Sequence, residues 1–141
     1  MDPSTWLVAA CCVLALLTFV VGFRMLHVRI GEMRRRGIEP QDVALSGQRA
    51  ERLQDARASD NYNHLFELPV LFYALAGLAL ATGHVPGWLA YGAWLFVALR
   101  VVHSLIQCTY NRVIHRFAVF VAGYLLLLVM WLAFGGSYLT A

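Results

Sequence analysis

The chain has 141 residues, of which 60% are hydrophobic and 13% are charged, and its formal net charge is +3 at pH 7. Soluble domains average about 25% charged residues, so this composition excludes an ordinary soluble globular domain. All eleven cationic Lys or Arg residues are arginines. Most of them lie in one segment beside the apolar stretches, as membrane topology requires, so the surplus charge does not indicate nucleic-acid binding.

Four apolar stretches follow one another along the chain, and each is about long enough to cross a bilayer. A spanning helix needs roughly 20 mostly apolar residues. The stretches comprise residues 6–23, 65–81, 88–106 and 117–134. Because a lone chain crosses the bilayer core as helices or as a closed barrel, the sequence predicts an all-α integral membrane protein, a four-transmembrane-helix bundle. Residues 1–141 then form a single membrane domain.

The arginines also predict an orientation. Eight of them lie between Arg24 and Arg57, two lie in the link between the third and fourth spans, and none lies in the link 82–87. Positive charge stays on the cytoplasmic side of a membrane. We therefore expect the inner or plasma membrane as the location, with segments 24–61 and 107–116 cytoplasmic and both termini on the opposite side. Residues 45–59 are predicted to form a helix that extends the second span.

Polar residues at helical spacing occur inside two of the predicted spans. Asn63 and Glu67 are spaced i, i+4, which would place them on one face of a helix. Arg100, His103 and Gln107 are spaced i, i+3, i+7 and also share a face. The second and third spans are antiparallel, so the two faces should meet near the cytoplasmic boundary. Ionisable groups at such depth usually face an interior or a wet cavity and mark function.

The predicted cleft opens toward the cytoplasm, where Tyr110, Arg112 and Arg116 lie at its mouth. Several cations and one carboxylate suit a small anionic molecule that also carries an amine. A purely structural interpretation stays open: Glu67 and Arg100 would form an interhelical ion pair, and the other polar side chains would hydrogen-bond between helices. The three cysteines lack metal-ligand spacing, so no metal site is predicted.

Two segments of the chain resemble the MAPEG family, the membrane-associated proteins in eicosanoid and glutathione metabolism. One is GQRAERLQDARASDNYNHLFELPVLFYAL at 47–75, which is similar to the family's Glu-Arg pair followed by Arg and Ala, Asn, Glu and Pro. The other is RVVHSLIQCTYNRVIHRF at 100–117, which is similar to the third-helix end and following link of the family's prostaglandin E synthases. The resemblance covers nearly the whole chain.

This resemblance implies a homotrimer with ligand sites between subunits and glutathione as the thiol cofactor. Arg100 and Arg116 match arginines that contact glutathione or its thiolate, and Arg116 becomes the candidate catalytic residue. The remaining candidates for ligand binding are Arg52, Asn63, Glu67, His103, Gln107, Tyr110 and Arg112.

Three departures from the family pattern bear on function. Asn63 and Glu67 are one residue further apart than the family's Asn and Glu, Gln107 replaces a tyrosine, and Phe117 replaces a serine. The first hypothesis is a glutathione-dependent transferase or peroxidase that acts on a lipophilic small molecule arriving from the membrane lipids. The two lost hydroxyls favour a non-catalytic lipid-binding or scaffold protein of the same fold. A small transporter that uses Glu67 as its ion site is the third hypothesis.

Overall fold

The computed structural model describes residues 2–140, and every regular element within them is helical. The elements in chain order are α1 (Pro3–Arg36), a 3₁₀ helix (Pro40–Val43), α2 (Ser46–Arg52), α3 (Arg57–His64), α4 (Leu68–Thr82), α5 (Gly87–Cys108) and α6 (Val113–Leu139). Four segments are long and apolar enough to cross a membrane, namely α1, α3 with α4, α5 and α6. The predicted all-α class with four spans is confirmed.

Helix α1 is longer than a bilayer requires. Its first turn is capped by the Asp2 carboxylate, which accepts the Ser4 N–H at 3.1 Å, and it ends at Gly37, whose φ of 61° is left-handed. At 1.5 Å per residue its 34 residues extend about 51 Å, whereas the hydrocarbon core is about 30 Å thick. The last turns of α1 therefore project beyond the bilayer, and they carry the arginine run.

The second span is interrupted where the sequence predicts a continuous helix. Helix α3 ends at His64 and α4 begins at Leu68, and Glu67 between them has φ −89° and ψ −98°. Pro69 accounts for the break, because a proline ring clashes with the carbonyl four residues earlier and has no N–H to donate. The prediction that Asn63 and Glu67 share one helix face is wrong for this reason. The predicted helix over 45–59 is also divided, since α2 ends at Arg52.

Small residues allow the four long helices to approach closely in the core. Ala10, Ala79 and Ala93 are fully buried, and Phe72 stacks on Phe96 with 5.0 Å between ring centroids. In a bilayer the lipid tails are as apolar as the core, so van der Waals packing of small residues replaces hydrophobic burial as the driving force. In this packing α5 lies against α1 and α6, and α4 also lies against α1 and α6.

Two arginines cap the carbonyl end of α5 from other helices. Arg24 of α1 donates to the Cys108 carbonyl at 3.0 Å, and Arg57 of α3 donates to the Thr109 carbonyl at 3.3 Å. Cations at a helix C-terminus are favoured by its dipole. Asp55 holds Arg57 by two hydrogen bonds of 3.0 Å, and this guanidinium keeps the pKa of Asp55 below its ordinary value. The start of α3 and the end of α5 thus meet beside Arg24 of α1 at one end of the bundle, here called the arginine-rich end.

The segment between α1 and α3 is fastened to the projecting part of α1 by one buried carboxylate. Glu32 is 5% exposed, pairs with Arg36 at 2.9 Å, and accepts the Gln54 and Asp55 N–H groups at 2.7 and 3.4 Å. Arg36 also donates to the Arg52 carbonyl. The Glu32 carboxylate therefore satisfies two backbone N–H groups of the irregular segment 53–56, which has no regular helix to pair them.

Glu32→Ala should loosen this segment while the four spans stay folded. The change removes the acceptor of the Gln54 and Asp55 N–H groups and the ion-pair partner of Arg36, and each lost hydrogen bond costs about 0.5–1.5 kcal/mol. The measurement is the rate of limited trypsin cleavage after Arg49 and Arg52, beside the melting temperature. Glu39→Ala is the matched control, because Glu39 is exposed on the same segment. Equal cleavage rates in the two variants would contradict the anchoring role.

Candidate functional site

Arg100 lies deep inside the bundle on α5 and is 1% exposed. Its guanidinium carbon lies 5.4 Å from the Phe96 ring centroid and 5.7 Å from that of Phe120. Its Nε and Nη2 have no hydrogen-bond partner among residues 2–140. Gly123 of α6 makes room for the group, since a Cβ there would lie 2.7 Å from Nη2. Aromatic faces attract a guanidinium, so two rings and a glycine hold Arg100.

His103, one turn further along α5, lies between Arg100 and the polar residues of α3 and α6. It is 3% exposed, and its ring meets His64 edge-on at 5.7 Å and Phe120 at 6.4 Å. Arg100, His64 and Arg116 all lie within electrostatic range of His103. We call Arg100, His103, His64 and Arg116 the cationic cluster, after the two arginines that carry its fixed positive charge. Its members come from α3, α5 and α6.

The break between α3 and α4 places a carboxylate beside this cluster. The Glu67 carboxylate lies within hydrogen-bond distance of His64 Nδ1, at 2.8 Å. The Glu67 side chain is 54% exposed. Arg100 lies within electrostatic range of Glu67. Within residues 2–140, however, no ion pair joins the two. The expected interhelical pairing of Glu67 with Arg100 is therefore replaced by a pair of Glu67 with His64.

Asn61, not Asn63, is the buried asparagine of α3. Asn61 is fully buried, accepts the Ser104 hydroxyl at 3.1 Å and contacts Cys108 Sγ with its amide nitrogen at 3.3 Å. Asn63 is exposed. Helical spacing from Glu67 selects Asn63 instead of Asn61, because it assumes one helix that continues through Glu67. Pro69 was the available signal that the helix could not continue through Glu67 unchanged.

Gln107 and Tyr110 differ sharply in environment. Gln107 is fully buried, and both polar atoms of its amide are without a partner among residues 2–140. Tyr110 is 59% exposed, and its hydroxyl lies 3.2 Å from His115 Nδ1. The third span therefore presents Arg100, His103 and Gln107 to the interior, as their spacing predicts, whereas Tyr110 lies outside it.

Arg116 lies in the first turn of α6, partly exposed, and is held by the link that precedes it. Asn111 has a left-handed backbone with φ 47°, and its side-chain oxygen accepts Arg116 Nη1 at 3.0 Å. Arg112 immediately precedes α6 and is exposed. Arg52 is not part of the cationic cluster, because it is exposed on α2, which packs against the 3₁₀ helix.

Two cavities lie side by side along α1. An apolar groove of about 620 Å³ runs between α1 and α3–α4, where Phe19, Phe66 and Val70 contribute to its walls. A polar cavity of about 510 Å³ lies beside it, under the segment 46–63, and includes Arg29 and Arg49. Met25 and Tyr62 line both, so the groove and the cavity meet at these side chains.

Within residues 2–140, no three His, Cys, Asp or Glu side chains come together as metal ligands. The groups that the fold does assemble are cations, imidazoles and one carboxylate, at the arginine-rich end of four apolar helices. Such a set can hold an anion, orient a proton on an imidazole, and admit an apolar molecule from the membrane.

These features define an integral membrane protein with a buried arginine in its interior and an apolar groove between α1 and α3–α4. The sequence model of the MAPEG family matches residues 7–136, nearly the full chain, and the protein therefore belongs to the MAPEG family. No curated protein and no solved structure matches the chain.

Proposed function

We propose that the protein is a glutathione-dependent transferase or peroxidase that acts on lipophilic electrophiles at a cleft between subunits. One observation carries the proposal: Arg100 is fully buried inside an apolar helix bundle, and no ion pair joins it to an acidic residue among residues 2–140. Uncompensated positive charge in such a place favours an anionic ligand, because a buried charge needs a partner. A thiolate with its peptide carboxylates supplies the anion, and the apolar groove suits the second substrate.

The residues of the site take separate roles in this proposal. Arg116 stabilises the thiolate sulfur, since it is partly exposed at a helix N-terminus where the dipole also favours an anion. Arg100 supplies positive charge from the interior, and Arg112 receives a carboxylate at the mouth. Glu67 takes the ammonium group of the ligand or orients a neighbouring cation. Asn63, His103, Gln107 and Tyr110 complete the candidate ligand contacts, with Arg52 as a further carboxylate contact.

The proposal is tested by the ultraviolet absorbance of the purified protein with glutathione, because a thiolate absorbs where a thiol does not. We expect a saturable thiolate signal, and none with S-methylglutathione, which has no thiol proton to lose. If glutathione produces no thiolate signal, the transferase proposal fails.

A lipid-binding protein without catalysis is the second candidate, and the apolar groove favours it. Among the residues that line the groove, only Thr18, Tyr62 and Tyr73 have polar side-chain atoms. A lipid acyl chain needs no more than such a surface. The same absorbance experiment separates the two, because a lipid-binding protein forms no thiolate.

We propose that the protein is a homotrimer. The family resemblance implies this assembly, with ligand sites between subunits. The Glu67 side chain, which is 54% exposed in one copy, would be covered by a neighbouring copy. The mass of the detergent-solubilised protein, corrected for bound detergent, should equal three chains. A monomer that keeps its helix content would contradict the trimer.

We propose that both termini face away from the cytoplasm, across the inner or plasma membrane. The arginine-rich end carries the caps of α5 and the whole segment 37–56, and positive charge is retained on the cytoplasmic side. A cysteine placed at Thr140 should react with a membrane-impermeant reagent from outside intact cells, and one placed at Glu39 should not. Both positions are exposed, and the background lacks the native cysteines. The reverse labelling pattern would contradict this orientation.

A further inference from the structure

The His64–Glu67 pair has the arrangement of a proton acceptor held by a carboxylate. Nδ1 of His64 lies 2.8 Å from the Glu67 carboxylate. When Nδ1 donates to that carboxylate, Nε2 becomes the acceptor, since only one ring nitrogen of a neutral imidazole carries the proton. The His64 side chain is 33% exposed, and within residues 2–140 its ring makes no hydrogen bond other than that to Glu67.

The position of His64 relative to the other members of the cationic cluster indicates which proton it accepts. His64 lies against the His103 ring at 5.7 Å, and Phe120, one turn after Arg116 on the same face of α6, lies against it at 6.4 Å. His64 and Arg116 therefore approach this part of the site from α3 and α6. Arg116 can stabilise an anion but cannot accept a proton, because a guanidinium stays protonated. Under the proposed function, something other than Arg116 must take the thiol proton.

We infer that His64 is the general base that deprotonates the thiol, and that Glu67 is the positioning residue that fixes its tautomer. This inference rests on the proposed glutathione-dependent function and adds the proton's destination to it. The thiol S–H bond breaks, its electron pair stays on sulfur beside Arg116, and the proton moves to His64 Nε2.

The second half of the reaction returns the proton. With an electrophile that has a C=C bond conjugated to a carbonyl group, the thiolate forms a C–S bond and the π electrons move to the neighbouring carbon. That carbon takes the proton from His64 Nε2. The balance is thiol plus alkene to thioether, with neutral His64 and the Glu67 carboxylate regenerated.

Counting protons tests the assignment directly. Glutathione is mixed with the protein in weakly buffered, mildly alkaline solution, where a free imidazole is neutral. Thiolate formation is followed by absorbance and proton release by an indicator dye. In the wild type the new thiolate and the Glu67 carboxylate both stabilise a protonated His64, so the thiol proton stays on it and we expect close to zero protons released per thiolate. In His64→Gln we expect close to one, together with a lower thiolate yield.

Further variants separate catalysis from a structural role. Glu67→Ala should raise the proton count toward one, and Glu67→Gln should restore part of the retention because its carbonyl oxygen still accepts Nδ1–H. His27→Gln is the matched control, an exposed histidine on the projecting part of α1, and should behave as the wild type.

The outcomes are distinguishable. Equal proton release per thiolate in the wild type and His64→Gln would overturn the assignment while the proposed function stands. A lower melting temperature in His64→Gln with unchanged proton release would likewise overturn it, because only packing would have been lost. No thiolate in the wild type would overturn both.

Discussion

Arg116→Ala should abolish thiolate formation on glutathione addition without unfolding the protein. An opposite charge within about 4–6 Å lowers the pKa of an acid by about 1–3 units, and a free thiol has a pKa of roughly 8.5. Loss of the guanidinium should therefore reduce the thiolate fraction near neutral pH about tenfold or more, and turnover with it. The absorbance titration with glutathione measures the first effect directly.

The fold should tolerate this change because Arg116 is partly exposed and, among residues 2–140, its one side-chain hydrogen bond is to Asn111. We expect a melting temperature close to that of the wild type. Arg116→Lys should recover part of the signal, since it keeps the charge but not the planar geometry. Arg35→Ala, at an exposed arginine on the projecting end of α1, is the control for lost positive charge. A normal thiolate signal in Arg116→Ala would remove Arg116 from the mechanism.

The sequence was sufficient for the features that the bilayer itself imposes. Backbone groups in hydrocarbon must be satisfied within the helix, so four long apolar runs could become little else than four helices. The buried polar face of α5 could also be predicted from the spacing of its polar residues, and Arg100, His103 and Gln107 are all buried. In these cases the helical periodicity of the sequence and the apolar bilayer are sufficient to predict the structure.

The partners of those residues could not be read in the same way. Spacing suggested a carboxylate for Arg100, but two aromatic rings and the space at Gly123 surround it, and both depend on how α6 packs on α5. The break before Pro69 rotates α3 relative to α4, which turns Asn61 inward and leaves Asn63 exposed. The rotation of one helix relative to the next across a break depends on tertiary contacts. Residue spacing within a single helix therefore does not predict it.

Gly123→Leu should destabilise the protein by displacing Arg100. A Cβ at this position would lie 2.7 Å from Nη2 and 3.4 Å from the guanidinium carbon, and the flanking rings leave the group little room to move. Overpacking a well-packed interior costs typically about 1–3 kcal/mol. Here the displaced group is a cation whose alternative surroundings are apolar, so we expect the upper part of that range. The melting temperature of the detergent-solubilised protein measures it.

Gly136→Leu is the matched control, because it adds the same side chain to α6 at an exposed position where a Cβ meets nothing within 4 Å. A double-mutant cycle that combines Gly123→Leu with Arg100→Ala then identifies the cause. If the added leucine side chain destabilises by striking the guanidinium, removal of that group should relieve the strain, and the double variant should be more stable than the sum of the single effects predicts. Contacting residues show such coupling at about 0.5–3 kcal/mol. Additive effects would mean that Gly123 serves the packing of α6 independently of Arg100, and that the buried cation is held by the two rings alone.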